Sequence, residues 1–234
     1  AREGAPKIFI LEDDSPLEIG EAYEIQAMVA QCHGPAGGFK VARKPDQPLI
    51  MAPIFQRDIQ VSPARWSAPD EASIGVELEI GFRILSPLPS LDEPAYTDRL
   101  KECVALVPAI EIVLSRLADA DAAAMYKLAD NQINGGLIVG QEVSDWRDMD
   151  LTQVNARLTF DGRAVIDGTV PVPGGDAFGN FQALVAHLGD HCGGLKPGHV
   201  VITGSLNGLP YVSPGTKVRG SIEGLGDVAV DLLA

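Results

Sequence analysis

Glu77 and Glu79 flank Leu78 in the run Val76-Glu77-Leu78-Glu79-Ile80. On a β-strand, residues two apart share a face. The two carboxylates would then stand side by side, with Val76, Leu78, Ile80 and Phe82 on the opposite face. Adjacent carboxylates repel, and a divalent cation relieves that repulsion; oxygen donors are what Mg²⁺ and Mn²⁺ prefer. The same alternation also describes a half-exposed strand with one wet face, so the pair alone leaves both possibilities open. Glu111 bears on the choice. It lies in Val107-Pro108-Ala109-Ile110-Glu111-Ile112-Val113-Leu114. In so apolar a stretch a carboxylate is either at a strand end or buried with a partner, because burying a charge alone is costly. Arg116 and a metal are the two candidate partners.

Lys40 follows two glycines and stands between Phe39 and Val41; Asp58 lies in Ile54-Phe55-Gln56-Arg57-Asp58-Ile59. A lysine in a partly apolar pocket can have a lowered pKa and act as acid or base. An aspartate beside it would instead hold it protonated. An ordinary surface lysine and a turn aspartate fit the same residues. Other chemistries lack their signatures: there is no G-x-S-x-G elbow, no phosphate-binding GxxxxGK[ST] and no GxGxxG. His33, His187, His191 and His199 do not form a zinc spacing. His187 and His191, four apart on an expected helix, have no third ligand nearby and read as structural. Cys192 beside His191 is not taken as a nucleophile pair, since sequence neighbours rarely form a catalytic dyad.

Several elements must position these groups. Ser15-Pro16-Leu17-Glu18 has the form of a helix start, with Ser15 as cap and Glu18 closing a capping box. That helix is expected to run to about Cys32 and stop at Gly34. Extended segments broken by Pro45, Pro48, Pro53 and Pro63 follow. Strands are expected over 75–84, 110–114, 152–160, 163–170, 200–203, 216–222 and 228–232, and helices over 96–103, 120–130 and 177–188. Asp161-Gly162 marks a hairpin turn between two of the strands. The count points to an α+β unit dominated by β structure.

Composition narrows the partners. The chain has 234 residues and a net charge of -14, from 32 acidic and 18 basic residues. So acidic a surface repels phosphate backbones and anionic lipid, which excludes nucleic acid and membrane surfaces as expected partners. An anionic substrate would need a local cation or metal to hold it. No apolar run approaches the ~20 residues of a membrane span. Ala1-Arg2-Glu3-Gly4 lacks a leader pattern, and three scattered cysteines form neither a disulfide framework nor a zinc-thiolate site. The cytoplasm is the expected compartment.

A set of short motifs, in order from about Glu21 to Val230, resembles the fumarylacetoacetate hydrolase superfamily, in particular its 2-keto-4-pentenoate hydratase and 4-oxalocrotonate decarboxylase branch. Ala22-Tyr23-Glu24-Ile25-Gln26 is similar to A-Y-x-I-Q, Gly38-Phe39-Lys40-Val41 to G-[WYF]-K-V, and Glu77-Leu78-Glu79 to E-x-E. Pro108-Ala109-Ile110-Glu111-Ile112 is similar to P-A-[LI]-E-[IV], followed by the Ser115-Arg116 pair. Ala129-Asp130-Asn131, Gly179-Asn180, Thr203-Gly204-Ser205 and Gly224-Leu225-Gly226 through Val230 complete the series.

The resemblance implies a mixed β-roll of the fumarylacetoacetate hydrolase C-terminal-domain type with flanking helices. Residues 1–70 would supply a helix and extended segments of the same unit, and 71–234 the metal-binding catalytic region. Glu77, Glu79 and Glu111 would ligate Mg²⁺ or Mn²⁺, and Lys40 and Asp58 would be the acid/base positions. Thr203, Ser205, Asn180, Asn131 and the helix start near Ala177 would contact substrate. The implied activity is hydration of a small anionic 2-keto or 2-hydroxy-dienoic acid in aromatic-compound catabolism, by a homo-oligomer. Decarboxylation of a 4-oxalocrotonate-type acid, hydrolysis of an acylpyruvate, and a non-catalytic scaffold are the alternatives. The sequence departs from the family pattern at Ala42-Arg43-Lys44, Gln132-Ile133-Asn134 and His187, and in a short segment between Asp58 and Glu77. These departures bear on substrate identity.

Overall fold

The computed structural model describes residues 7–10, 16–44, 46–67 and 73–233. Ala1-Arg2-Glu3-Gly4, Ser15 and Pro45 lie outside them. Helix α1 spans Ile19–His33; strands β1 (Ala36–Ala42) and β2 (Ile50–Phe55) follow, then a 3-10 turn and the short strands β3 (Ile59–Val61) and β4 (Ala64–Ser67). Next come β5 (Ile74–Ile84), α2 (Tyr96–Glu102), β6 (Val104–Val113), α3 (Ala124–Ala129) and β7 (Asn134–Val139). The chain ends with β8 (Gln153–Phe160), β9 (Arg163–Pro171), α4 (Ala177–Leu188), β10 (Val200–Ser205), β11 (Tyr211–Val212), β12 (Lys217–Ile222) and β13 (Gly226–Leu233).

Two mixed sheets form. The larger has the order β2-β1-β10-β5-β6-β7-β3, with β11 also on β5; the smaller has the order β4-β13-β12-β8-β9. Residues before 71 thus contribute β1, β2 and β3 to one sheet and β4 to the other. The main core lies between the sheets. Val76, Leu78, Ile80 and Phe82 of β5 and Leu106, Ile110 and Ile112 of β6 cluster there with Leu158, Val218, Val228 and Val230. Helix α4 covers one end, with Phe181 stacked on Phe82 at 4.8 Å between ring centroids.

The other face of the large sheet carries a second apolar cluster, including Val107, Ala109, Leu137, Val200 and Ile202. Strand β6 is therefore buried on both faces along its whole length. Such a strand reads as one continuous apolar run, and it begins at Val104, well before the expected Ile110. Parallel pairing of β1 with β10 requires Gly38, where a Cβ would collide with the Val200 carbonyl.

Two helix boundaries differ from expectation. Helix α1 starts at Ile19, after the expected cap at Ser15: Glu18 is the cap residue, and its N–H donates to Glu21 Oε2 at 2.8 Å. Helix α3 is shorter than expected because Asp119 Oδ1 accepts from the Asp121 N–H at 2.8 Å, an Asx-type turn that holds the chain out of helix before Ala124. Among the described residues, no helix is long and apolar enough to cross a membrane.

Candidate metal centre and active site

The β5–β6 ladder sets Glu77 directly opposite Glu111, and Glu79 opposite Ala109. All three glutamates lie on the sheet face away from the main core, at the end of the second apolar cluster. One carboxylate oxygen from each falls within 4.8 Å of the others. Glu79 is 2% exposed and Glu111 0%, while Glu77 is partly exposed. The alternation of β5 therefore does not produce a wet face.

Lys40 projects from β1 into this cluster. Its Nζ donates to both oxygens of Glu111, at 2.6 and 2.7 Å, and lies 3.4 Å from the Gln132 carbonyl. Asn134 Nδ2 donates to Glu111 Oε1 at 2.7 Å, and the Gly204 N–H donates to Glu79 Oε2 at 2.6 Å. Gly204 has φ +123, a conformation that glycine adopts without strain. Ser205, beside Glu77, acts weakly to lower its pKa.

Crowding shows in the proton affinities. Burial, reinforced by the Glu111 charge, pushes the Glu77 carboxyl up to about 7. Burial and both neighbouring carboxylates raise Glu79 well above the usual range. For Lys40, burial is the largest single influence and acts downward, but the charges of Glu111, Glu77 and Glu79 together outweigh it and the pKa rises. Of the possibilities left open for Lys40, a pKa lowered by apolar neighbours and one held up by a carboxylate, the carboxylates across the sheet decide for the second.

This donor set fits a hard divalent cation. The ligands are all carboxylate oxygens, which Mg²⁺ and Mn²⁺ prefer. Three carboxylates face one ammonium, and the remaining deficit of two charges is what one divalent ion balances.

Other expected residues sit differently. Asp58 pairs with His33, Nε2 to Oδ2 at 3.4 Å, and is not among the hydrogen-bond or ion-pair partners of Lys40. The expected Lys40–Asp58 unit is thus replaced by Lys40–Glu111. Arg116, a candidate partner for Glu111, instead bonds Asp130 at 2.6 Å and the carbonyls of Leu114 and Asn134. Thr203 Oγ1 donates to the Ile80 carbonyl at 3.0 Å, and Ser205 Oγ donates to the Gly208 carbonyl at 2.6 Å. Asn180 Nδ2 ties Pro173 to Thr203 through their carbonyls, at 2.7 and 3.1 Å. The start of α4 is capped by its own Asp176, whose Oδ1 accepts from the Gly179 N–H at 2.5 Å. His187 lies on α4 and His191 beyond its end, so they share no helix face. Burial pushes the Cys192 thiol up to about 11, which keeps it inert.

Asn131 is 1% exposed, and neither polar atom of its amide has a hydrogen-bond partner among the described residues. It opens a run of three left-handed residues, Asn131, Gln132 and Ile133, with φ of 52°, 49° and 54°. Such residues cost about 1 kcal/mol or more each. The turn aims the Gln132 carbonyl at Lys40 and sets Asn134 beneath Glu111. Asn134 and the Gly204 N–H are site groups that the sequence did not reveal. A polar residue opening the apolar run of β7 was the available signal for Asn134; a backbone N–H leaves none.

The model of the fumarylacetoacetate hydrolase C-terminal family matches residues 40–232. A 2-keto-4-pentenoate hydratase of Paraburkholderia xenovorans (strain LB400) is 26% identical over 247 aligned residues, covering 99% of this chain and 90% of that protein. A 4-oxalocrotonate decarboxylase of a Pseudomonas species is 28% identical over 127 residues, covering 53% of this chain and 48% of the relative. Among solved structures, 4-oxalocrotonate decarboxylase from Pseudomonas putida G7, complexed with magnesium and adipate, superposes with a TM-score of 0.73 at 18% identity, covering 92% of this chain and 86% of that one. That likeness is one of fold.

Proposed function

The chain belongs to the fumarylacetoacetate hydrolase family, and on that footing we propose that it is a divalent-metal-dependent hydro-lyase that hydrates a small 2-keto or 2-hydroxy-dienoic acid. The observation that carries the proposal is the convergence of Glu77, Glu79 and Glu111 within 4.8 Å around one ammonium group. The relatives named 2-keto-4-pentenoate hydratase, aligned over nearly the whole chain, support the substrate class. Glu77, Glu79 and Glu111 are the proposed holders of Mg²⁺ or Mn²⁺. When bound, the ion supplies Lewis-acid stabilisation of the negative charge that builds on the 2-oxygen as the acid becomes an enolate.

The chain's own groups do the rest. Lys40 carries a proton on Nζ at neutral pH, because the surrounding carboxylates raise its pKa. It is the group proposed to pass that proton to and from the conjugated carbon chain. Glu111 holds Nζ in position, and Asn134 holds Glu111. The unpartnered Asn131 amide is the proposed polar contact to substrate. Thr203, Ser205 and Asn180 hold the surrounding backbone. Water adding to the enone completes hydration. Loss of CO₂ from a 4-oxalocrotonate-type keto acid, whose C–C bonding electrons pass into the conjugated ketone to leave the same kind of stabilised enolate, is the second reading, favoured by the decarboxylase relative.

The test is a product assay with a panel of 2-keto-enoic acids and acylpyruvates, with and without Mg²⁺. Metal-dependent formation of a hydrated 2-keto acid is expected. Turnover of acylpyruvates alone, or turnover unaffected by chelation, would overturn the proposal.

A further inference from the structure

Resting on the reading that Glu77, Glu79 and Glu111 hold a metal, we propose that Asn207 is a positioning residue of that site: its side-chain amide fixes the backbone on both sides of Glu77 and so sets the affinity for a small divalent ion. Strand β10 leaves β5 at the pair Ser205–Glu79, and β11 rejoins it at Tyr211–Gly75. Val76, Glu77 and Leu78 therefore face the longer stretch from Leu206 to Pro210, a bulge in the ladder beside the metal ligand. Two bonds of a regular ladder survive across it. The Leu206 N–H donates to the Leu78 carbonyl at 2.8 Å, and the Val76 N–H donates to the Pro210 carbonyl at 3.1 Å. A hydrogen-bonded antiparallel pair normally exchanges two such bonds. The return bond to the Val76 carbonyl fails because Pro210 has no N–H to give.

Asn207 supplies both missing partners. Its Nδ2 donates to the Val76 carbonyl at 3.0 Å, and its Oδ1 accepts from the Leu78 N–H at 2.6 Å. The Val76 carbonyl belongs to the peptide plane before the Glu77 Cα, and the Leu78 N–H to the plane after it. Each peptide is planar, so holding both planes fixes the two backbone dihedrals of Glu77 and with them the direction of its Cβ. The amide is itself held in place. Ser205 Oγ accepts from the Asn207 N–H at 3.4 Å and donates to the Gly208 carbonyl at 2.6 Å. Across the strand, β6 pairs Glu77 with Glu111. Glu77 is the most exposed of the three glutamates, so burial constrains it least. Mg²⁺ demands near-ideal octahedral geometry, whereas Ca²⁺ accepts flexible coordination by about six to eight oxygens. A loosened Glu77 therefore weakens the smaller ion more.

Mg²⁺ and Ca²⁺ are each titrated calorimetrically into the intact chain, Asn207→Ala and Asn207→Ser, with melting curves to check folding. Groups that orient metal ligands typically govern affinity about 10–100-fold, and a loss of that size for Mg²⁺ is expected in Asn207→Ala. Ca²⁺ should lose clearly less, so the ratio of Mg²⁺ to Ca²⁺ affinity falls. Asn207→Ser is too short to span both backbone groups. It should lower the ratio in the same direction, and it decides the matter if Asn207→Ala does not fold. Unchanged Mg²⁺ affinity in the folded variants, or equal losses for both ions, would overturn the positioning role while leaving the metal centre standing. Absence of Mg²⁺ binding in the intact chain would overturn the metal-centre reading and the positioning role with it.

Discussion

Replacing Lys40 with methionine removes the one cation among three carboxylates while keeping a similar apolar stem. In the metal-free protein, Glu111 is 0% exposed and donates nothing in return for its two bonds from Nζ, at 2.6 and 2.7 Å. Breaking a buried ion pair from one side typically costs about 3–5 kcal/mol. For a chain of this size each 1 kcal/mol shifts Tm by about 2–4 °C, so a drop of roughly 6–20 °C is expected without metal at pH 8. The loss should be smaller at pH 5, where Glu77 and Glu79, with their raised pKa values, already carry protons. Saturating Mg²⁺ should recover part of it, about 2.7 kcal/mol at a hundredfold excess over Kd. Turnover should fall about 10²–10⁴-fold. The assay is thermal unfolding with and without Mg²⁺ at both pH values, together with kcat on whichever acid is turned over. A variant as stable as the parent in EDTA at pH 8, or one with full kcat and only a raised KM, would refute the reasoning.

The raised carboxylates also fix the sign of the pH dependence of the parent chain. Glu77 and Glu79 bind protons more tightly folded than unfolded, so their contribution is fully present below about pH 4.5 and is lost as pH rises through their raised pKa values, about 7 for Glu77; EDTA-treated protein should show this loss in a pH series of melting curves, and Mg²⁺-loaded protein should show far less. Asn134→Ala removes the 2.7 Å bond to Glu111; calorimetry should find Mg²⁺ affinity about 10–100-fold weaker with the circular dichroism spectrum retained. Asp58→Asn should leave the pH profile of kcat unmoved, because Asp58 bonds His33 and not Lys40; a displaced profile would restore Asp58 to the acid/base unit.

What the sequence made legible was local. The alternation of β5, the Asp161-Gly162 hairpin and the amphipathic α4 are patterns within a dozen residues, and they lie where expected. Strand β6 was legible only in part, since a strand buried on both faces has no alternation to read. Strands β1 and β2 were obscured by Gly37, Gly38 and Pro53, whose places depend on close approach of a neighbouring backbone and on pairing. The site divides in the same way. Glu77 and Glu79 share a face by local geometry alone. The bond from Lys40 to Glu111 joins residues 71 apart in the chain, and nothing in the sequence prefers it to a bond with Asp58. The turn at Asn131-Gln132-Ile133 is built from residues without the glycine that usually announces a left-handed backbone.

The proposed chemistry requires a cation held by Glu77, Glu79 and Glu111. Calorimetric titration of Mg²⁺ or Mn²⁺ into the chain and into Glu77→Gln and Glu111→Gln, with folding checked by circular dichroism, tests that dependence. One ion per chain is expected in the parent, and binding roughly a hundredfold weaker or absent in folded variants. Unchanged affinity in both variants would contradict the assignment and leave the three carboxylates as a buried acidic cluster held by Lys40 alone.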